Sequence, residues 1–229
     1  MITMMKNKTV EAPKTISETI YRYLRKAIIE GELKPNQRIQ EKEIAQLFNV
    51  STTPAREAFQ RLSAEKYLAI NARKEVNVTS VTVREIKELY EVVRILDACA
   101  TRKAVKNLSD KDIEDLKEMT KNLGNLYNQK KIGPYVKQNL KIHFRIWKEC
   151  GNTFLYQSLV NLGEKFTFYS NQIFAMIDNP SFFKISFRDH VELMKAIETR
   201  DGEKAEKIIS THWGGEGFLN EEKPGVKTE

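Results

Sequence analysis

The sequence predicts a mainly α-helical protein in two parts, three helices with a small β-hairpin followed by an antiparallel bundle of helices. Apolar residues recur at spacings of three and four over most of the 229 residues. Two short strand-like stretches, 67–70 and 76–78, interrupt that pattern. The formal charge of +7 is uneven: residues 1–79 hold 14 Lys and Arg against nine Asp and Glu. This distribution is typical of a basic module joined to a near-neutral one.

The composition and the cysteine count exclude several classes of protein. Apolar residues make up 41% and charged residues 30% of the chain, as in ordinary globular proteins. No apolar run approaches the ~20 residues of a membrane span, and the opening MITMMKNK lacks the apolar core of a signal peptide. Cys99 and Cys150 cannot build a disulfide scaffold and are expected to be reduced packing residues. The sequence therefore predicts a cytoplasmic protein without a membrane partner.

Residues 15–79 are predicted to form the first domain, after a flexible basic arm at residues 1–14. The arm is polar and contains Pro13, whereas helical periodicity starts at Thr15. Pro54 suits the first turn of a helix, where its missing N–H costs no hydrogen bond. In chain order the domain contains a helix over 15–31, a turn over 33–36, a second helix over 41–48, a third from Thr53 or Pro54 to Glu65, and strands at 67–70 and 76–78 around a basic tip.

Residues 80–213 are predicted to form the second domain, an antiparallel bundle of six helices. The helices begin at recognisable signals. Ser109 and Asp112 resemble a capping box, and Gly-Pro, Gly-Asn, Asn-Pro and Asp-Gly pairs precede the later helices. The polar residues 214–229 are predicted to be a disordered tail.

Residues 41–62, EKEIAQLFNVSTTPAREAFQRL, have the layout of a helix-turn-helix. A tight turn at Asn49-Val50 would lead into a helix whose start faces outward. Short hydroxyl side chains at the positive end of that helix suit phosphates and base edges. Arg56 and Gln60, one turn apart on its polar face, can enter a major groove. An ordinary solvated helix start is the alternative interpretation, because helix pairs are common.

The segment LKPNQRIQEKEIAQLFNVSTTPAREAFQRLSAEKYL is similar to the winged helix-turn-helix of the GntR family of bacterial transcription regulators. The resemblance spans residues 28–70 and is most specific at Val50-Ser51, Thr53-Pro54 and Arg56-Glu57-Ala58. Asn36 stands where the family has a turn glycine, and asparagine tolerates the same left-handed backbone.

That resemblance implies binding to operator DNA through the start of the third helix and the hairpin. Thr52 replaces a family arginine, which removes one expected contact, and Glu75 replaces a wing-tip glycine and adds negative charge there. The implied DNA contacts are Lys42, Ser51, Thr52, Thr53 and Arg56, with Arg73 or Lys74 from the wing.

The three histidines of the chain, His143, His190 and His212, fall on the apolar faces of three different helices. A single inward histidine is usually a hydrogen-bonded core residue. Three that converge from separate helices fit a transition-metal site with an open coordination position. The residues alone leave both interpretations open.

Residues 82–213 resemble the FCD ligand-binding domain of the FadR branch of that family. The resemblance is carried by TVREIKELYEVVRILDACATRKA, NLKIHFRIWKECGN and RDHVELMKAIETRDGEKAEKIISTH. Many such domains hold a metal through an aspartate, a histidine one turn later and two further histidines. The resemblance places these ligands at Asn139, His143, His190 and His212. At the first position a neutral carbonyl replaces the carboxylate, and the implied cofactor is a divalent Zn, Ni or Mn ion.

The sequence therefore predicts a homodimeric transcription regulator, expected to be a repressor, that binds near-palindromic operator DNA and a small carboxylate-type effector at or near the metal. The family's effector-binding arginine falls at Val93, and the neighbouring Arg94 points about 100° away. A metal-free regulator that binds an apolar or acyl effector is one alternative. A hydrolase with a three-histidine metal is another. Against it, no carboxylate base is apparent near the histidines in the sequence, and an enzyme leaves the DNA-binding motif unexplained.

Overall fold

The computed structural model describes residues 15–71, 75–173 and 180–213, which belong to two compact units. The division falls between Thr79 and Ser80, and the short segment 29–31 groups with the second unit. The predicted mainly helical fold with a small sheet in the first part is confirmed. The arm, the basic wing tip and the tail lie outside the described residues, so the predictions made for them stay predictions.

The first unit contains three helices and a three-stranded antiparallel sheet. In chain order its elements are α1 (Ile16–Ile29), β1 (Arg38–Ile39), α2 (Glu41–Leu47), α3 (Thr52–Ala64), β2 (Leu68–Ile70) and β3 (Val76–Val78). Strand β3 lies in the middle, and its Asn77 faces Arg38 on one side and Ala69 on the other. The sequence pattern does not predict β1, because two residues are too few to show an alternation.

Two asparagines with left-handed backbone shape the turns of the first unit. Asn36 (φ 61°) precedes β1, and Asn49 (φ 53°) lies between α2 and α3. Asparagine visits this region more readily than most non-glycine residues, so the expectation for Asn36 in place of a turn glycine is confirmed. The turns bring the helices onto a common core whose members, each at most 1% exposed, include Ile20, Leu24, Ala55, Phe59 and Leu62.

The described part of the second unit consists of helices. They are α4 (Val83–Asn107), α5 (Asp110–Asn128), α6 (Ile132–Lys148), α7 (Thr153–Ile173), α8 (Pro180–Glu198) and α9 (Gly202–His212). The predicted capping box is present at α5, where Ser109 and Asp112 each accept the other's backbone N–H. Thr82 and Glu85 form a second box at α4. Each box satisfies two N–H groups that would otherwise lack partners.

Helices α6 and α7 approach each other closely at Gly163. A β-carbon at this position would lie 2.8 Å from a ring carbon of Phe144 and 3.2 Å from the ring of Trp147. Trp147 is fully buried in the apolar core of the bundle. The absence of a side chain at Gly163 therefore gives the Trp147 ring its space.

The two cysteines have different surroundings. Cys150 is buried, as expected, whereas Cys99 is exposed, so the expectation that it packs in the core is wrong. Its neighbours Ala98 and Ala100 are buried, and Cys99 falls on the solvent face of α4 between them. None of the described helices is both long and apolar enough to cross a membrane.

Candidate functional sites

In the first unit, the side chains that the sequence assigns to DNA lie on an exposed surface at the start of α3. Ser51, Thr52 and Thr53 are exposed, and 59% of the Arg56 side chain is accessible one turn later. Lys42, on the adjacent helix α2, is exposed as well. The Ser51 side chain makes no capping hydrogen bond, so the first N–H groups of α3 stay available to an anion.

Arg56 is paired with a carboxylate that the sequence reasoning missed. Its Nε lies 3.0 Å from Oε2 of Glu41, the first residue of α2. An exposed pair of this kind contributes at most about 1 kcal/mol to stability. It nevertheless holds the guanidinium against the other helix of the motif. The two residues are far apart in sequence, so no helical spacing could have indicated the contact.

At the wing, Glu75 forms an ion pair and hydrogen bonds with neighbouring residues of the first unit. Its Oε1 lies 2.9 Å from Nη1 of Arg38. Asn71 accepts the backbone N–H of Glu75 at 2.9 Å and donates its amide to Oε2 at 2.8 Å. Arg38 therefore offsets the negative charge that the sequence places near the wing. The predicted wing contacts Arg73 and Lys74 lie outside the described residues.

In the second unit, three histidines meet in one buried cluster. His143 comes from α6, His190 from α8 and His212 from α9, and one ring nitrogen of each lies within 4.8 Å of the others. The ring centroids are 4.6 to 5.2 Å apart. Nitrogens bound to one tetrahedral zinc lie roughly 3.4 Å from one another. Small side-chain rotations would therefore allow the three rings to share an ion.

The hydrogen bonding of the rings leaves buried nitrogens free for such an ion. Nδ1 of His190 lies 2.8 Å from the carbonyl oxygen of Ser186, whereas its Nε2 has no partner in the described chain. Both nitrogens of His143 and Nδ1 of His212 also lack a well-aligned partner among the described residues. A buried polar atom without a partner costs free energy, and a bound metal would satisfy it.

Burial favours the neutral imidazole, which is the form that binds metal, in two of these rings. Burial and the neighbouring imidazoles hold the pKa of His190 well below its ordinary value. Burial also lowers the pKa of His212, against the opposing effect of Asp189. Metals bind the neutral imidazole, so neither ring has to lose a proton near neutral pH.

Two aspartates lie next to the cluster, although no well-placed carboxylate base was apparent near the histidines in the sequence. Oδ2 of Asp97 lies 2.9 Å from Nδ1 of His143, and Oδ2 of Asp189 lies 3.5 Å from Nδ1 of His212. Asp97 belongs to α4, and only the packing of the bundle brings it to His143. Its place on the buried face of α4, one turn after Val93, was the available sequence signal.

The Asp97 carboxyl is held in its charged form. Burial acts to raise its pKa, but attraction to the nearby His143 ring and hydrogen bonds from Trp147 and Trp213 outweigh burial and keep the pKa below its ordinary value. Both oxygens therefore act as acceptors, and the carboxyl is fully buried.

Asn139, which the resemblance makes the fourth ligand, is buried one turn before His143. Its Oδ1 accepts a hydrogen bond from Oγ of Ser186 at 3.3 Å. Asn139 and His212 both line a cavity of about 20 Å³, which is room for about one water molecule. Asn139 is thus placed beside the cluster, and its ligand role stays a prediction.

The rest of the cavity wall is mainly aromatic. The other lining residues are Tyr90, Tyr135, Val136, Phe166, Ser186 and Trp213. No lysine or arginine occurs among these described lining residues. Val93 is fully buried and Arg94 is exposed, as the helical period predicts. Among the described residues, the wall therefore contains no cationic clamp for a carboxylate.

Comparison with known proteins gives a family match for each unit. Residues 16–78 match the family described as bacterial regulatory proteins, gntR family, and residues 88–215 match the FCD domain. The FCD match alone covers more than half of the chain.

Several curated relatives extend over most of the sequence. The HTH-type transcriptional repressor RspR of Escherichia coli is 20% identical over 197 residues, which are 86% of this chain and 85% of that protein. The regulator McbR of the same species is 25% identical over 177 residues, which are 76% of this chain and 78% of McbR. These relatives are transcription regulators and not enzymes.

Solved structures share the fold. The structure of Escherichia coli McbR/YncC has a TM-score of 0.70 at 21% identity and covers 87% of this chain and 93% of that one. A GntR-type regulator from Rhodococcus sp. RHA1 has a TM-score of 0.69 at 21% identity, covering 86% and 93%. At this level of identity the likeness concerns the fold alone.

Proposed function

The chain belongs to the GntR family of bacterial regulatory proteins, as a DNA-binding transcription regulator with an FCD domain, and from this premise we propose that it is a cytoplasmic, homodimeric repressor controlled by a metal-associated effector. Two copies would place their α3 helices in successive major grooves of a near-palindromic operator. Effector binding would favour one of two arrangements of the dimer and change its DNA affinity. The naming of RspR as a repressor supports the direction of control.

On DNA, the start of α3 would supply both anchoring and base reading. The hydroxyls of Ser51, Thr52 and Thr53 and the free N–H groups beside them suit phosphate oxygens. Arg56, one turn further, has the length and the paired donors to read a guanine edge. Lys42 would add a phosphate contact, as would Arg73 or Lys74 from the wing. Because Thr52 is shorter than the arginine of the family pattern, recognition would depend strongly on Arg56.

In the second unit, the three histidines would hold a divalent Zn, Ni or Mn ion, with the carbonyl of Asn139 as the fourth ligand. The observation that carries this proposal is the buried cluster of His143, His190 and His212 with unpartnered ring nitrogens. Imidazole ligands suit these metals. A bound ion would supply positive charge and an open coordination position for an effector oxygen.

A small carboxylate-type effector fits this site because it would bring the anionic ligand that Asn139 does not provide. The cavity beside His212 admits about one water molecule. A larger effector must therefore displace a lining side chain such as Trp213. That requirement would couple effector binding to a rearrangement of the bundle.

A metal-free regulator is the second candidate, and the cavity lining favours it. Tyr90, Phe166 and Trp213 provide apolar surface, and the described lining contains no cation to bind a carboxylate. In that case the histidines are core residues, and the effector is apolar or an acyl compound.

Metal analysis of the full-length chain, purified without chelator and without nickel resin, separates the two candidates. We expect about one ion per chain in the wild type and loss of that ion in His190→Ala. Glu192→Gln is a matched control on the same helix, because Glu192 pairs with Lys195 on the surface. A wild-type protein that takes up no zinc, nickel or manganese on titration would support the metal-free candidate.

A further inference from the structure

Asp97 is a fully buried carboxylate with partners from three parts of the bundle. Its Oδ1 accepts from Nε1 of Trp147 at 2.5 Å and from Oγ1 of Thr101 at 3.0 Å. Its Oδ2 accepts from Nε1 of Trp213 at 2.6 Å and lies 2.9 Å from Nδ1 of His143. Each oxygen thus has two neighbours that can donate.

Other aspartates of the second unit have a cationic partner that Asp97 lacks. Asp112 pairs with Arg145, and Asp189 pairs with Arg188. Within the described chain, no lysine or arginine is paired with Asp97. Indole and hydroxyl donors are neutral, so they relieve only part of the cost of a buried charge. The remaining compensation has to come from the side of the histidine cluster.

The position of Asp97 also indicates which nitrogen of the His143 ring carries the proton. Neither ring nitrogen of His143 has a well-aligned hydrogen-bond partner among the described residues, but the Asp97 oxygen 2.9 Å from Nδ1 favours a proton on that nitrogen and leaves Nε2 as a buried acceptor. In His190, Nδ1 is hydrogen-bonded to the Ser186 carbonyl and Nε2 has no partner in the described residues. Histidines that bind metals usually direct their second ring N–H to a carboxylate or a carbonyl in this way.

We propose that Asp97 is the positioning residue of the metal centre and that it supplies, through His143, the negative charge that Asn139 does not bring. This inference rests on the proposed metal site. With an amide at residue 139, none of the four ligands would carry a charge. Asp97 places a carboxylate one imidazole ring away from the ion, in a buried region where Coulomb attraction is only weakly screened.

The same carboxylate connects two of the ligand-bearing segments. Oδ2 of Asp97 faces both His143, on α6, and the indole of Trp213, which directly follows His212. Asp97 itself belongs to α4. Its removal would therefore loosen His143 and the end of α9 together, so the loss of metal affinity would exceed that expected from one missing hydrogen bond.

The test is the zinc affinity of the full-length chain, measured by competition with a chromophoric chelator. Asp97→Asn keeps the size of the side chain and removes its charge, whereas Thr101→Val removes one hydrogen bond to Oδ1 and leaves Oδ2 facing His143. We expect Asp97→Asn to weaken zinc binding about 10- to 100-fold and Thr101→Val to bind as the wild type does. No loss in Asp97→Asn, or an equal loss in both variants, would overturn the proposal. A wild type that binds no zinc would contradict the metal site itself, and with it this inference.

A measurement on the wild type keeps the test valid if Asp97→Asn fails to fold. Nitrogen-15 imidazole spectra of the zinc-loaded protein report which ring nitrogen carries the proton. We expect a proton on Nδ1 of His143 and zinc on its Nε2. Zinc on Nδ1 would overturn the proposal, because Asp97 would then face a metal-bound nitrogen in place of an N–H.

Discussion

Replacing Asn139 by aspartate tests directly whether this residue occupies a ligand position. The two side chains have the same shape, and Asn139 is 6% exposed. The new carboxylate can keep the hydrogen bond from Ser186, but no cation lines the described cavity wall around it. In the metal-free protein, an uncompensated buried charge of this kind costs about 3 kcal/mol.

The presence of metal should offset this destabilisation. At about 3 °C per kcal/mol for a chain of this size, metal-free Asn139→Asp should melt about 9 °C below the wild type. In excess zinc the carboxylate becomes an anionic ligand, and most of that loss should disappear. The variant should therefore gain more from zinc than the wild type gains.

Thermal unfolding in chelator and in excess zinc measures both quantities, and the neighbouring residue supplies the control. Gln138 is also buried, but its amide donates to the carbonyl of Met119. Gln138→Glu makes the same chemical change away from the cavity and should be destabilised equally with and without zinc. If zinc raises the melting temperature of Asn139→Asp no more than that of Gln138→Glu, Asn139 is not a ligand and the reasoning is refuted.

Three further predictions concern the DNA surface and the fold. Arg56→Ala should weaken the binding free energy for a selected operator by about 1–3 kcal/mol and that for random DNA by much less. Fluorescence anisotropy measures both affinities. Equal losses would mean that Arg56 contacts only phosphate. Ser109→Ala, which removes one acceptor of the α5 capping box, should lower the free energy of unfolding by about 1 kcal/mol. An unchanged urea midpoint would show that the box contributes nothing. Asn36→Val should destabilise the protein by about 1–2 kcal/mol, because φ at this residue is 61°. Asn36→Gly should be nearly neutral. Equal urea midpoints for the two variants would contradict the left-handed turn.

The helices were predictable because each carries its own local signal. Ser109 and Asp112 mark the start of α5, and apolar spacing marks the inner faces of the bundle. Strand β1 has no such signal, because it consists of Arg38 and Ile39 and exists only through its pairing with β3. The exposure of Cys99 depends on which side of α4 faces solvent. The apolar character of cysteine favours a packed position, and this prediction is wrong.

The candidate site likewise has features that the sequence predicts and features that it does not. The convergence of the histidines could be expected, because each lies on the apolar face of its helix and inner faces meet in a bundle. The Asp97–His143 and Glu41–Arg56 contacts could not be expected from the sequence, because each joins side chains from different helices with no fixed spacing between them. Contacts of this kind depend on the packing angle of two helices, which local sequence does not encode.

Gly163 gives evolution an indirect way to adjust the proposed metal site. Any side chain at this position would press on Trp147, whose indole donates to Asp97, the carboxylate behind His143. A substitution at 163 would touch neither metal nor effector, and in a comparison of related genes it would look like a conservative change between two helices. On the proposed metal site it would nevertheless change the affinity for the ion, so lineages could diverge in that affinity while every proposed ligand stays the same.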